Sequence, residues 1–206
     1  QVAVFVINGA TGALTPAGTF AAGGTFPAAI ALNANSTAAY VVNEGTATKV
    51  TAFSVSPSTG AMTQIGQYDL AGTPAGALTR RTVAVNPAGT FVYVTDGGPG
   101  NVAAFSVNAG TGALTFIGVY GSGGVPSSLV VNPSGTQVLV TNEDGTLARM
   151  TIEASGSLLL SGPPINSGGT GARAVLFSGS TRAFVAHLNG TVAPFSIDAA
   201  TGEPTL

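Results

Sequence analysis

The chain has 206 residues, of which 45% are hydrophobic and 7% charged, with a net charge of −2 and no cysteine. Its six Lys and Arg residues are too few to neutralise a phosphate track, which excludes nucleic-acid binding. The lack of cysteine excludes disulfides, thiolate metal sites and cysteine nucleophiles. No apolar run approaches the ~20 residues of a membrane-spanning helix. We expect no membrane span, no metal and no cofactor.

A repeat organises the chain from its first residues. Large apolar residues, each followed by a Thr/Ser-Gly turn, recur at intervals of 48, 52, 45 and 45 residues. A period of this length indicates one supersecondary unit copied in tandem. The apolar markers are Phe5, Phe53, Phe105, Met150 and Phe195, and the turns begin at Thr11, Thr59, Thr111, Ser155 and Thr201.

Each unit is predicted to be all-β. A turn opened by Asn or Ser precedes a short run rich in Val, Tyr, Phe and Thr, which is typical of a strand. In chain order, residues 1–20 form half a unit, with its third and fourth strands only, and further units cover about 26–70, 79–120, 126–162 and 172–206. We expect them to form a single domain.

The unit at residues 126–162 shows four strands best. We predict strand a at Ser127–Val131, strand b at Gln137–Thr141, strand c at Leu147–Ile152 and strand d at Ser157–Ser161, with Gly162–Gly171 as a loop. Four antiparallel strands in about 45 residues form one propeller blade. Because blades stack face to face, the strand-c residues Phe53, Phe105, Met150 and Phe195 should be buried between neighbouring blades.

The strand-b runs carry a family resemblance. Tyr40-Val41-Val42-Asn43 and Tyr93-Val94-Thr95-Asp96, with the Asn-Pro-x-Gly and Thr-Gly-Ala-Leu turns around such strands, resemble the YVTN-type β-propellers. The chain is most similar to the lactonase-like propellers related to bacterial 6-phosphogluconolactonase, and microbial cell-surface YVTN proteins share the pattern. The resemblance implies a closed ring of seven blades.

The chain supplies about four and a half blades. We therefore expect it to be part of a seven-bladed ring or to be completed by other copies. Open blade faces and strand edges are templates for pairing with another chain, so self-association through the open ends is predicted. Head-to-tail contacts that do not close would give a filament.

Possible chemistry gathers at one end of the blades. Residues just before strand a and just after strand b should converge around the mouth of the channel, which is the default place for a ligand. A small sugar-like molecule is the expected ligand. The predicted ligand-binding rim consists of Glu44, Arg81, Asp96, Glu143, Arg173 and His187.

The resemblance also implies catalytic candidates. Lactonase-like enzymes carry Pro-Arg-His at the start of strand a, and lactone opening needs a base for water and a cation for the oxyanion. Arg81 and Arg173 match the Arg, but the next residue is never His; it is Ala29, Thr82, Ser128 or Ala174. The catalytic candidates are Arg81, Glu143, Arg173 and His187.

His187 has two interpretations. It is the only histidine and could act as a general base facing Arg173 and Glu143. It also occupies the place of Asn43, Asp96 and Asn142 in the other units, where Asn and Asp favour turns through bonds to their own backbone. The turn-forming interpretation is favoured.

Two functions follow from these observations. The missing histidine, the low charge and the unclosed repeat favour a non-catalytic extracellular or cell-surface propeller that acts as a structural, interaction and assembly module. The alternative function is that of a lactonase that hydrolyses sugar lactones. The alternative location is the cytoplasm.

Overall fold

The computed structural model describes residues 1–45, 49–70, 81–96 and 100–206. Within these ranges the chain forms β-strands and no helix, which confirms the all-β prediction. It follows that this part of the chain contains no helix that could cross a membrane.

The first two strands form half a blade. Strands β1 (Val2–Ile7) and β2 (Leu14–Phe20) pair antiparallel in a sheet of their own. Asn8 closes their turn, because its side-chain oxygen accepts hydrogen bonds from the backbone N–H groups of Ala10 and Thr11. These strands correspond to strands c and d of a blade.

Four sheets follow, which we call blades 1 to 4, each an antiparallel meander whose strands are named a to d in chain order. Blade 1 contains β3 (Pro27–Leu32), β4 (Ala38–Asn43), β5 (Lys49–Val55) and β6 (Met62–Asp69). Blade 2 contains β7 (Val83–Val85), β8 (Phe91–Asp96), β9 (Asn101–Val107) and β10 (Leu114–Gly121). Blade 3 contains β11 (Pro126–Val131), β12 (Gln137–Asn142), β13 (Thr146–Ile152), β14 (Leu158–Leu160) and β15 (Ile165–Asn166). Blade 4 contains β16 (Ala172–Phe177), β17 (Arg182–His187), β18 (Val192–Ile197) and β19 (Pro204–Thr205).

The outer strand of blade 3 is split in two. Both β14 and β15 pair with β13, the second through Asn166 beside Thr146. Pro163 and Pro164 lie in the gap, and proline has no N–H to give to the ladder. The prediction that Gly162–Gly171 is loop throughout is wrong for Ile165–Asn166, a strand too short to show a pattern in the sequence.

The core lies between the blades. Tyr40 and Val42 of blade 1 share one buried cluster with Val94 and Phe105 of blade 2, and similar clusters join blades 2 to 3 and 3 to 4. The predicted burial of the strand-c residues is confirmed, since Phe53, Phe105, Met150 and Phe195 are at most 3% exposed. Phe5 is 48% exposed because the half blade has no preceding sheet in the described part of the chain.

Strand a is the innermost strand of each blade. Neighbouring strands a contact one another: Ser127 Oγ donates to the Ala172 carbonyl at 2.7 Å, and Leu129 N donates to Thr82 Oγ1 at 3.1 Å. The start of strand a pairs with the end of strand b, as in Pro126 beside Asn142. Residues at these two places therefore lie together at one end of the sheets.

Candidate functional site

A β-bulge shapes the start of strand a. The register shifts between Pro27 and Ala29, between Pro126 and Ser128, and between Ala172 and Ala174. A bulge inserts one unpaired residue and re-aims its side chain, a device common next to active sites. The residues at this place in blades 1, 3 and 4 are Ala28, Ser127 and Arg173, and the repeat puts Arg81 at the corresponding position of blade 2.

Arg81 lies below the surface. Its Nη2 donates to Asp96 Oδ1 at 3.1 Å, and the two side chains are only 1% and 2% exposed. Glu44 of the preceding blade accepts a 2.9 Å hydrogen bond from the backbone N–H of Arg81. Three of the six rim residues are thus joined to one another, and Arg81 is covered from solvent by the protein.

Arg173 and Glu143 form a second ion pair that is open to solvent. Arg173 Nη1 donates to Glu143 Oε1 at 3.0 Å, with side chains 24% and 41% exposed. Glu143 follows strand b of blade 3, whereas Arg173 is the second residue of strand a of blade 4. The pair bridges two blades at the axial end, where a ligand could reach both groups.

His187 anchors the linker between blades 3 and 4. The residue is 7% exposed, its Nε2 lies 3.0 Å from Ser167 Oγ, and its Nδ1 lies 3.3 Å from the Thr191 carbonyl. Ser167 Oγ also donates to the Gly145 carbonyl at 2.6 Å. These contacts are those of a turn and linker residue, and they favour the turn-forming interpretation.

Asn142 anchors the linker between blades 2 and 3 in the same way. Ser122 Oγ lies 3.1 Å from Asn142 Oδ1 and 3.2 Å from the Gly100 carbonyl. The following glycine lets the linker lie against the amide, because a Cβ on Gly124 would meet Asn142 at 2.9 Å. The sequence analysis predicted only a loop at Gly162–Gly171 and assigned no role to these serine residues. The shared Ser-Gly-Gly triplets at 122–124 and 167–169 were the signal for this role.

Metal binding has no support in this region. In residues 1–45, 49–70, 81–96 and 100–206, no group of three His, Asp or Glu side chains is placed to hold an ion. The acidic segment Asn142–Thr146 forms a hairpin turn in which Gly145 N donates to the Asn142 carbonyl and Asp144 Oδ1 accepts from Thr146 N at 3.0 Å.

Residues 1–167 match a family model described as lactonase, 7-bladed beta-propeller. The chain belongs to this lactonase propeller family. No protein with a curated description matches the sequence.

Solved structures share the fold of this lactonase-family chain. A Lactobacillus plantarum protein superposes with a TM-score of 0.79 at 22% identity, over 98% of this chain and 60% of its own. A candidate 6-phosphogluconolactonase from Bacteroides uniformis gives 0.81 at 18% identity, over 99% and 62%. A functionally unknown protein from Desulfotomaculum acetoxidans gives 0.72 at 16%, over 87% and 54%. The lactonase-family chain therefore spans about 60% of the length of the first two.

The chain departs from the lactonase-like pattern at the residue after the arginine position. Where the resemblance implies histidine, Thr82 instead holds strands together: its N–H donates to Thr95 Oγ1 at 2.7 Å, and its hydroxyl accepts from Leu129 N. Thr82 therefore has a structural role where the resemblance implies histidine.

Proposed function

We propose that the chain is part of a seven-bladed lactonase-type propeller that binds and hydrolyses a small sugar lactone at its axial mouth. Family membership supports the reaction class. The observation that carries the proposal is the solvent-accessible pair of Arg173 and Glu143, 3.0 Å apart. A carboxylate and a guanidinium side by side are the two groups that lactone opening requires.

The two residues take separate roles. Glu143 removes a proton from the attacking water, as a general base does. Arg173 donates hydrogen bonds to the oxygen of the lactone carbonyl, where negative charge develops. When the ring C–O bond breaks, protonated Glu143 returns the proton to the leaving ring oxygen. One water is consumed, and the product is the open hydroxy acid.

The other rim residues support the mouth. Glu44 of blade 1 accepts from the Arg81 N–H of blade 2, Arg81 is paired with Asp96 within blade 2, and His187 positions a linker. None of these four acts directly on substrate in this proposal. The proposed activity is that of the complete propeller. The location of the protein, extracellular or cell-surface rather than cytoplasmic, stays a prediction from composition.

Lactone hydrolysis by the protein at its natural length tests the proposal. A panel of six-carbon sugar lactones, with and without phosphate, is followed by acid release. Glu143→Gln should lower kcat/KM by at least about 10²-fold, and Arg173→Met should lower it by a similar factor. Asp69→Asn is the control, because Asp69 belongs to the exposed Lys49–Asp69 pair on the outer strands of blade 1. It should leave kcat/KM unchanged.

Two results of this experiment would contradict the proposal. A folded wild-type protein that is inactive on the whole panel would favour the non-catalytic structural and assembly function. Full activity of Glu143→Gln would assign the base elsewhere.

A further inference from the structure

Two grooves lie between blades at the end of the sheets opposite the candidate site. Each is bounded by the a–b turn of one blade and by the c–d turn of the following blade. Groove A, between blades 1 and 2, has a volume of about 330 Å³ and includes Asn33 and Asn108. Groove B, between blades 3 and 4, has a volume of about 320 Å³ and includes Asn132 and Asp198. Small-molecule sites begin at roughly 300 Å³, so each groove has room for one small ligand.

The first residue of strand b determines how far the space between two blades is filled. It is Ala38 in blade 1, Phe91 in blade 2 and Gln137 in blade 3. Each of them lies against a glycine in the c–d turn of the following blade, and these glycines are Gly112, Gly156 and Gly202. The Phe91 ring occupies this space between blades 2 and 3 and packs against their shared cluster. Alanine and glutamine leave grooves A and B open.

Groove B contains a buried acceptor without a donor. Gln137 lines the groove and is 5% exposed, and its Nε2 donates to the Gly202 carbonyl at 3.0 Å. Its Oε1 is buried and has no hydrogen-bond partner among the described residues. An unpaired acceptor of this kind destabilises a folded protein, and in a native structure it calls for an explanation. A hydroxyl of a ligand in groove B would supply the missing donor.

A carboxylate lies on the blade 4 side of groove B. Asp198 begins the c–d turn, where its Oδ1 accepts hydrogen bonds from the N–H groups of Ala200 and Thr201 at 3.0 and 2.7 Å. Hydrogen bonds from the Thr201 N–H, the Thr201 hydroxyl and the Ala200 N–H lower the pKa of Asp198. The side chain is therefore negatively charged at neutral pH, and in this state it only accepts hydrogen bonds.

The remaining polar groups of groove B are neutral. Among the described residues that line the groove, Asp198 alone is charged, and hydroxyls of Thr136, Thr151 and Ser180 lie around it. This lining repels an anion such as a sugar phosphate. Neighbouring hydroxyls of a neutral sugar match it, because each can donate to a carboxylate or amide oxygen and also accept from a side-chain hydroxyl.

We propose that groove B is a second ligand site, in which Asp198 and Gln137 bind the hydroxyls of one neutral sugar unit. Groove A is the matched groove without these two acceptors. Asn108 takes the place of Asp198 there, since each accepts a backbone hydrogen bond from the turn glycine, and Ala38 takes the place of Gln137. The inference rests on the space between blades 3 and 4 and does not depend on lactone hydrolysis.

Isothermal titration calorimetry of the purified protein with glucose, galactose, mannose and N-acetylglucosamine tests the proposal. We expect at least one of these sugars to bind the wild type. Asp198→Asn should weaken binding by about tenfold or more, since hydrogen bonds to an ionised acceptor are the stronger ones. This variant should keep its fold, because Asn108 makes the same turn contacts in blade 2. Gln137→Phe should abolish binding by filling the groove, as Phe91 does between blades 2 and 3.

Ala38→Phe is the matched control, because it fills groove A and leaves groove B unchanged. This variant should bind sugar with the affinity of the wild type. The proposal would be overturned if the folded wild type bound none of these sugars, or if Asp198→Asn bound them as tightly as the wild type. Binding of methylamine in place of a sugar would also overturn it, since the ligand would then be a cation.

Discussion

Ser122 donates a 3.1 Å hydrogen bond to the side-chain oxygen of Asn142 and so ties the linker before blade 3 to the end of its strand b. The corresponding residues in blade 1 are Ala22 and Asn43. Asn43 Nδ2 donates to the Ala22 carbonyl at 3.1 Å, but Asn43 Oδ1 is buried and has no hydrogen-bond partner among the described residues. Such an unpaired acceptor costs about 1–3 kcal/mol.

Ala22→Ser should therefore stabilise the protein by about 1 kcal/mol, because the new hydroxyl would donate to Asn43. The measurement is the free energy of unfolding in denaturant. The matched change Ser122→Ala should destabilise by about 1–3 kcal/mol, since it removes the hydroxyl that donates to Asn142 Oδ1, although Asn142 Nδ2 keeps its bond to Thr146. Equal stability of wild type and Ala22→Ser would show that a hydroxyl at this place does not reach Asn43.

Phe105→Ala should cost about 3–5 kcal/mol of unfolding free energy, the usual loss for a large buried aromatic. Phe105 is 0% exposed and its ring packs edge-on against Phe116 with centroids 5.6 Å apart. Phe5→Ala, at the half-exposed equivalent place, serves as the control and should cost less than about 1 kcal/mol. A loss below about 1 kcal/mol for Phe105→Ala would contradict the packing between blades 1 and 2.

Arg81→Met should destabilise the protein by about 3–5 kcal/mol, because it breaks a buried ion pair by removing the guanidinium that contacts Asp96. Arg81→Met combined with Asp96→Asn should cost less than the two single changes added together, since the residues interact directly. Denaturant unfolding of the four proteins measures this coupling. Lys49→Met, which breaks the exposed pair with Asp69, should change stability by less than about 1 kcal/mol; additive losses at Arg81 and Asp96 would contradict the ion pair.

Stability should fall between pH 10 and pH 12. Burial, with a smaller contribution from Tyr68, raises the pKa of Tyr40 to about 12, and burial likewise raises the pKa of Tyr93. A tyrosine in the unfolded chain loses its proton near pH 10. Above that pH, loss of the proton stabilises the unfolded state relative to the folded state. The contribution of the two tyrosines to the free energy of unfolding, complete below pH 10, is therefore lost as the pH rises through the folded pKa.

The double change Tyr40→Phe and Tyr93→Phe should flatten this alkaline decline in unfolding free energy. At pH 7 it should cost about 1 kcal/mol for each lost hydrogen bond to Gly112 and Gly156. An unchanged slope between pH 10 and pH 12 would show that the two hydroxyls do not keep their protons in the folded state.

His187→Asn should keep both the unfolding midpoint and any lactone hydrolysis, because Asn43 and Asn142 fill the same place in blades 1 and 3. His187→Ala should cost about 1 kcal/mol, since it removes one hydrogen bond to Ser167 Oγ, which keeps its bond to the Gly145 carbonyl. Loss of hydrolysis in a stably folded His187→Asn protein would instead make His187 the general base.

The blade repeat could be predicted from sequence because it depends on local patterns. A strand between two blades must be apolar on both faces, so Phe105 and Met150 stand out within their runs, and the turns need only nearby Asn, Thr and Gly. The interruption at Pro163 and Pro164 was also local, but the two-residue strand after it was too short to show a period.

The candidate site could be predicted only in outline. Arg81 and Arg173 occupy one repeat position and look alike in sequence, yet the first is buried and the second is partly exposed to solvent. The difference comes from the residue that ends strand b, which is Asp96 in one blade and His187 in the other. Asp96 forms a buried ion pair with Arg81. His187 instead bonds to the linker, and Arg173 pairs with Glu143 of the neighbouring blade. The sequence by itself determined where the charges lie along the repeat; the tertiary structure decided which of them stay in water, because burial depends on side chains from other strands.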